Sequence, residues 1–226
     1  RGRVEFRVTL RGQSVHSASP DRGFNCIYGM TKIVQSIQDL NASLPADPFL
    51  GKATIAVTHM ECEHIGPNSL PESCRILVDR RLIQGEQPKK VLAQMREVCK
   101  GTKAKIEVVE YDKTSYRGLR LPMEKYFPTW SLAETHPLVQ ACEGAYKSVF
   151  KKKPLLDKWT ISTSGVYTMG IAHVPTVGFG PSEEYYSGPV NDHARIDDLE
   201  KSMAFYATLL GYLPDTEPIK VPRRRR

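Results

Sequence analysis

Hydrophobic residues switch between a period of two and a helical period along the first half of the chain, and the order of those switches leaves few folds open. Val4, Phe6, Val8 and Leu10 alternate with Glu5, Arg7 and Thr9, which predicts a strand over residues 3–11 with one buried face, ended by Gly12. From Phe24 through Ile27, Tyr28, Met30, Ile33, Val34, Ile37 and Leu40 the spacing is helical. Two more strands are expected over 53–60 and 74–82, joined through the turn-rich run Gly66-Pro67-Asn68-Ser69-Leu70-Pro71. Pro88 opens a second helix with Val91, Leu92, Met95, Val98 and Cys99 on one face; Gly101 is placed to end it, and residues 105–111 supply a last strand. Strand, helix, strand, strand, helix, strand is the α+β, ferredoxin-like βαββαβ order. It implies a four-stranded antiparallel sheet with both helices on one face and edge strands open to pairing with another copy.

Beyond Tyr111 the pattern changes. The polar, turn-rich stretch 113–129 places a domain boundary within 112–122, giving a first domain over 1–113, a second over 114–213 and a basic tail over 214–226. A helix is expected from Pro137, with Leu138, Val139, Cys142, Ala145, Tyr146, Val149 and Phe150 on one face. Residues 159–165 read as a strand entering a small-residue turn, and 174–181 as a buried strand ending at Gly180-Pro181. The last helix runs from about Ile196 to Tyr212, with Asp197 and Asp198 at its positive end and Pro214 as its stop. Two strands are too few to close a doubly covered parallel sheet. These elements therefore either pack on the first domain or belong to a larger α/β domain.

Composition narrows the class. No stretch approaches the roughly 18 apolar residues that a membrane span needs, and the N-terminus has no signal-peptide core, so a cytoplasmic location is expected. The five cysteines, Cys26, Cys62, Cys74, Cys99 and Cys142, contain no pair close in sequence. That disfavours a disulfide framework or a zinc knuckle and fits reduced, mostly buried thiols. Of the net charge of +7, the tail after Leu213 contributes +3 and Lys151, Lys152 and Lys153 another +3, which leaves the body of the chain nearly neutral. Such concentrations are more typical of solvated ends than of a nucleic-acid groove. An RNA-binding sheet is disfavoured for a second reason, because Ile55, Val57, Ile106 and Val108 stand where base-stacking aromatics would be needed.

The segment Ser14-Val15-His16-Ser17-Ala18-Ser19-Pro20 places an imidazole in the connection between a strand and a helix, where functional groups commonly sit. Taken with Gly66-Pro67-Asn68-Ser69-Leu70-Pro71, Val78-Asp79-Arg80-Arg81, Trp159 to Gly165 and Pro175 to Pro181, it resembles the zinc-dependent peptidases and deacylases. That family contains aminoacylase, acetylornithine deacetylase, succinyl-diaminopimelate desuccinylase and glutamate carboxypeptidase. Within it the chain looks most like the group of selenium-metabolism hydrolases.

The resemblance implies a two-metal catalytic domain interrupted by a ferredoxin-like dimerisation domain, with this chain beginning at the first strand of the interruption. The family's His-x-Asp ligand pair, bridging Asp and Glu-Glu pair have no counterparts, so zinc is the expected cofactor of the intact enzyme but is not expected to bind this chain alone. His16 corresponds to a histidine that reaches into the partner subunit's site and stabilises a tetrahedral oxyanion, and Asn68 to a loop asparagine that donates to substrate. Arg80 and Arg81 alternate on a strand, so only one can face a substrate carboxylate; Arg80 is the candidate. Ser164 and Gly165 correspond to a small-residue turn beside the substrate, although a helix N-cap uses the same residue types. Where the family places a metal-binding His, this chain has Gly188, and His193 could substitute only if the loop shifts. His59, His64, His136 and His173 share no ligand spacing.

Two functions therefore stay open. The chain is either a homodimer-forming segment of a metal-dependent amide hydrolase acting on N-acyl amino acids or peptides, or a non-catalytic dimerising or partner-binding scaffold derived from such an enzyme.

Overall fold

The structure, a computed structural model, describes residues 1–186 and 190–214; Gly188 and the basic tail beyond Pro214 lie outside the described residues. The chain forms two compact units, Arg1–Trp130 and Ser131–Arg226. In chain order the first contains β1 (Gly2–Arg11), α1 (Cys26–Ser43), β2 (Thr54–Glu63), β3 (Ser73–Leu82), α2 (Pro88–Val98), β4 (Lys105–Val108) and the short β5 (Tyr126–Phe127).

The strands lie in the order β2-β3-β1-β4, all antiparallel, as the sequence order requires. β1 pairs with β3 along its whole length, from Gly2 opposite Leu82 to Arg11 opposite Ser73. On its other side it pairs with β4, and then with β5 at Arg3 and Val4. The strand expected over 105–111 is shorter because it breaks at Val109. The Val109 N–H donates to the Glu5 carbonyl, its own carbonyl accepts from Lys125 N–H, and the Lys125 carbonyl accepts from Glu5 N–H. Residues 114–130, expected to open the second region, thus stay with the first unit, because β5 adds a fifth strand to the sheet through its pairing with the central strand.

Alternation gives the sheet two unlike faces. Val4, Phe6, Val8 and Leu10 of β1 pack with Ile76, Val78 and Leu82 of β3 under Met30, Ile33 and Ile37 of α1 and Val91 and Met95 of α2. Asn25 caps α1 by accepting a 3.0 Å hydrogen bond from Ile27 N–H, and Pro88 occupies the first turn of α2, where no N–H is missed. On the opposite face Asp79 receives Arg3 Nε at 2.7 Å and Arg81 Nε at 2.6 Å, while Lys125 Nζ lies 2.7 Å from Glu5.

The second unit contains α3 (Pro137–Phe150), the four-residue α4 (Gly165–Thr168) and α5 (Ile196–Leu209). Cys142 and Ala145 of α3 and Phe205 of α5 form its small core, joined by Phe179, whose ring centroid lies 4.1 Å from that of Phe205. The strands expected over 159–165 and 174–181 do not form. Among the described residues of this unit neither has a strand to pair with, and an extended segment becomes a strand only through a partner's hydrogen bonds. The two segments meet instead through side chains: the Trp159 ring covers Gly178 so closely that a Cβ there would lie 2.1 Å from it. No helix among the described residues is long and apolar enough to cross a membrane.

One charged pair sits inside the first core. Arg80 lies in phase with Val78 and Leu82, its side chain is 0% exposed, and its guanidinium pairs with Glu86 and donates to the Arg81 carbonyl. Glu86 also accepts from Ile83 N–H at 3.0 Å. Burial pushes the Arg80 guanidinium below its ordinary pKa, and Glu86 opposes that shift. Removing one partner strands the other charge in the core. Glu86→Ala should therefore destabilise the first unit by about 3–5 kcal/mol, measured as a fall in its urea midpoint, while the double change Arg80→Met with Glu86→Leu should recover most of the loss. An unchanged midpoint for E86A would show that the pair does not support the fold.

Candidate functional site

The β1–β3 ladder does not stop where the regular sheet stops. Gly12 N–H donates to the Glu72 carbonyl at 2.8 Å, Leu70 N–H to the Val15 carbonyl at 2.8 Å, and Ser17 N–H to the Asn68 carbonyl at 2.9 Å. His16 and Ser69 form an antiparallel bridge between them. Loop 12–19 and loop 66–72 are thus laced together, and the two candidate donors, His16 and Asn68, emerge exposed at one end of the sheet.

Small side chains make this approach possible. A Cβ on Gly12 would lie 2.1 Å from the Pro71 carbonyl oxygen, and one on Gly23 would lie 2.5 Å from the Gln13 oxygen. The backbones of Gln13 and Phe24 bond each other at 3.0 and 3.1 Å, closing the far side of the loop. Ser14 Oγ donates to the Leu70 carbonyl at 2.7 Å, and Ser69 Oγ donates to the Gly66 carbonyl at 2.7 Å. At the loop's base Ser73 Oγ donates to Glu63 at 2.8 Å, which together with Arg75 holds the Glu63 carboxyl below its ordinary pKa. Ser14, Ser69 and Gly12 are the positioning residues that sequence reasoning did not single out. Their signal was present only as small residues on both sides of a turn-rich loop.

The imidazole of His16 has a defined tautomer. Its Nδ1 accepts a hydrogen bond from Ala18 N–H at 3.1 Å, so the neutral ring carries its proton on Nε2. That N–H points away from the bonded side of the ring and can donate to an oxygen outside the unit. The Asn68 carbonyl is occupied by Ser17, and its side-chain amide is exposed.

The other candidates fall elsewhere. Arg80 is not at the loop end: it stands opposite Val4, seven residues along the strand from Arg11, or roughly 23 Å at about 3.3 Å per residue. Its burial against Glu86 removes it from solvent, and Arg81, on the opposite face, is engaged with Asp79. Ser164 precedes α4 in the second unit, where its backbone carbonyl accepts from Tyr167 N–H at 2.9 Å and Thr168 N–H at 3.1 Å. Gly165 is buried at the start of that turn. His193 Nδ1 lies 2.7 Å from the Asn191 carbonyl. His136 caps α3 by accepting from Leu138 N–H at 3.1 Å, which is a structural role. Among the described residues no group of three or more His, Cys, Asp or Glu side chains is arranged to hold a metal ion. The residues described do not fit a two-metal centre.

Comparison with known proteins places this geometry. Residues 1–107 match the peptidase dimerisation domain. The chain is 37% identical over 211 residues to the uncharacterized protein YgeY of Escherichia coli K12, covering 92% of this chain and 52% of that protein. It is 30% identical over 81 residues to succinyl-diaminopimelate desuccinylase 2 of Shewanella loihica, covering 36% of this chain and 21% of that protein. The M20 family metallo-carboxypeptidase Sso-CP2 of Sulfolobus solfataricus superposes with a TM-score of 0.67 at 14% identity, covering 92% of this chain and 57% of that structure. The chain thus spans about half the length of YgeY. Residues 1–107 are thus a peptidase dimerisation domain, and the fold along most of the chain is that of the M20 family metallo-carboxypeptidase.

Proposed function

We propose that this chain serves a metal-dependent amide hydrolase of the peptidase or N-acyl-amino-acid deacylase type, in which it supplies dimerisation, an oxyanion donor and substrate contacts. The observation that carries this reading is the lacing of loop 12–19 to loop 66–72, which brings His16 and Asn68 to one end of a rigid sheet. Attack on an amide carbonyl develops negative charge on its oxygen, and a preorganised N–H aimed at that oxygen lowers the barrier. His16 Nε2–H is the proposed oxyanion donor. The Asn68 amide orients the substrate from the same side, and Ser164 and Gly165 line it from the catalytic region.

Zinc, in this reading, is the metal of the intact enzyme and is held by residues other than those described here. The proposed assembly is a homodimer formed through the ferredoxin-like domain, with His16 serving the partner's site. Support for that comes from the dimerisation-domain match. A cytoplasmic setting is supported by five cysteines that are all free thiols.

The test replaces the matching half of YgeY with this chain and assays the hybrid, loaded with zinc, on a panel of N-acyl amino acids and dipeptides. His16→Ala should lower kcat by about 10²–10³ with little change in KM, the signature of a donor used in the transition state. Asn68→Ala should mainly raise KM. Hydrolysis that ignores both substitutions would remove the assigned roles, and a dimeric hybrid without hydrolysis would favour the scaffold. Gly12→Val should abolish activity while lowering the unfolding free energy of the first unit, measured by urea titration, by only about 1–3 kcal/mol, because the added side chain forces the two loops apart where the regular ladder has already ended.

A further inference from the structure

Two of the five cysteines, far apart in sequence, meet in the sheet. Cys62 in β2 stands directly opposite Cys74 in β3, and their Sγ atoms are 2.9 Å apart. Residues opposed in an antiparallel pair hold their Cβ atoms about 4.5–5.5 Å apart, against about 3.5–4.5 Å in disulfides, so a bond can close with a small inward shift of the outer strand. Cys74 is buried and Cys62 half-buried on the outermost strand. A dissolved reagent therefore meets Cys62 first. The nearby Cys26 thiol is directed at the Pro71 carbonyl, 3.5 Å away, while Cys99 follows α2 and Cys142 lies in the second unit.

We propose that Cys62 and Cys74 are a redox pair that closes into a cross-strand disulfide on exchange with a small disulfide of the glutathione type. The Cys62 thiolate attacks one sulfur of oxidised glutathione, and the first glutathione leaves as a thiolate. The Cys74 thiolate then attacks the Cys62 sulfur; the mixed bond breaks and the second glutathione leaves. Two protein thiols are oxidised, one small disulfide is reduced to two thiols, and the two protein protons pass to the leaving groups. Burial raises the Cys74 thiol above its ordinary pKa, which disfavours the thiolate that the second step needs.

The bond would staple the base of the loop that carries Asn68 and Ser69. Cross-linking a loop at its base removes open conformations, so the lacing between Ser69, Leu70 and loop 12–19 becomes harder to undo. Any effect on hydrolysis rests on the reading of His16 and Asn68 given above. The bond itself does not.

The full chain is incubated with oxidised glutathione, trapped with N-ethylmaleimide and mapped by peptide mass. The expected main internal product links Cys62 to Cys74, with the mass of two hydrogens lost and restored by dithiothreitol. Cys74→Ser should stop at a glutathione adduct on Cys62, and Cys26→Ser should still close. Amide exchange at Leu70 should slow severalfold in the oxidised chain. A main link involving Cys26, an adduct on Cys62 that never closes in the parent chain, or no thiol loss at all would overturn the proposal. The parent chain alone gives that answer if a variant fails to fold. Because the map does not depend on activity, its failure leaves the His16 and Asn68 substitutions to be judged separately.

Discussion

The ladder between β1 and β3 holds two surfaces of opposite character in a single register, and the loops beyond it inherit that register. On one side it aligns Val4, Phe6, Val8 and Leu10 with the apolar positions of β3 beneath two helices. On the other it sets Arg3 diagonally across from Asp79, close enough to donate to it at 2.7 Å, beside Glu5, which Lys125 engages. A slip of one residue would exchange these faces, drive Asp79 and Arg81 into the core and bring Arg80 out of it, so mispairing is penalised on both sides at once. The same constraint reaches the functional end. The backbone bonds from Gly12 to Glu72 and from Ser17 to Asn68 continue the ladder past the last regular pair, so His16 and Asn68 are held by backbone geometry rather than by side-chain packing alone.

Much of the first unit was legible in the sequence because its signals are local and periodic. Alternation in residues 4–10 and helical spacing from Phe24 to Leu40 each define a face without knowledge of any partner. The ferredoxin-like order follows from their succession, and the observed sheet order agrees with it. Arg80 depends on a contact that alternation alone does not encode. It lies in phase with Val78 and Leu82 on the core side of β3, and a guanidinium is tolerated there because Glu86, six residues on, returns to pair with it. The meeting of Cys62 and Cys74 was illegible for a different reason. It depends on the register set where the strands resume after a long loop, and no local pattern encodes that.

The second unit shows what periodicity leaves out. Residues 159–165 and 174–181 carry strand-like composition, yet strand formation is decided by hydrogen bonds to another chain segment, and the described part of this unit supplies none. Helices satisfy their own backbone, so α3 and α5 form where the spacing placed them. α5 buries Ser202 and Phe205 on one side while Leu199, Met203, Tyr206 and Leu210 stay exposed on others. A helix apolar on more than one face is suited to being covered on more than one side.

The two units therefore differ in how firmly each holds its candidate residues. Within the first unit, His16 and Asn68 ride on an apolar core closed by two helices and on a ladder whose backbone groups are paired through the loops. Their separation is set without reference to the rest of the protein, and that is what an oxyanion donor needs, because the gain depends on dipoles already aimed before charge develops. Ser164 and Gly165 instead stand at a four-residue helix beside segments that lack strand partners, held by local bonds such as Val166 N–H to the Thr163 carbonyl at 3.1 Å and Val174 N–H to the Thr168 carbonyl at 2.8 Å rather than by a sheet. Preorganisation is thus built into the donor side of the proposed site.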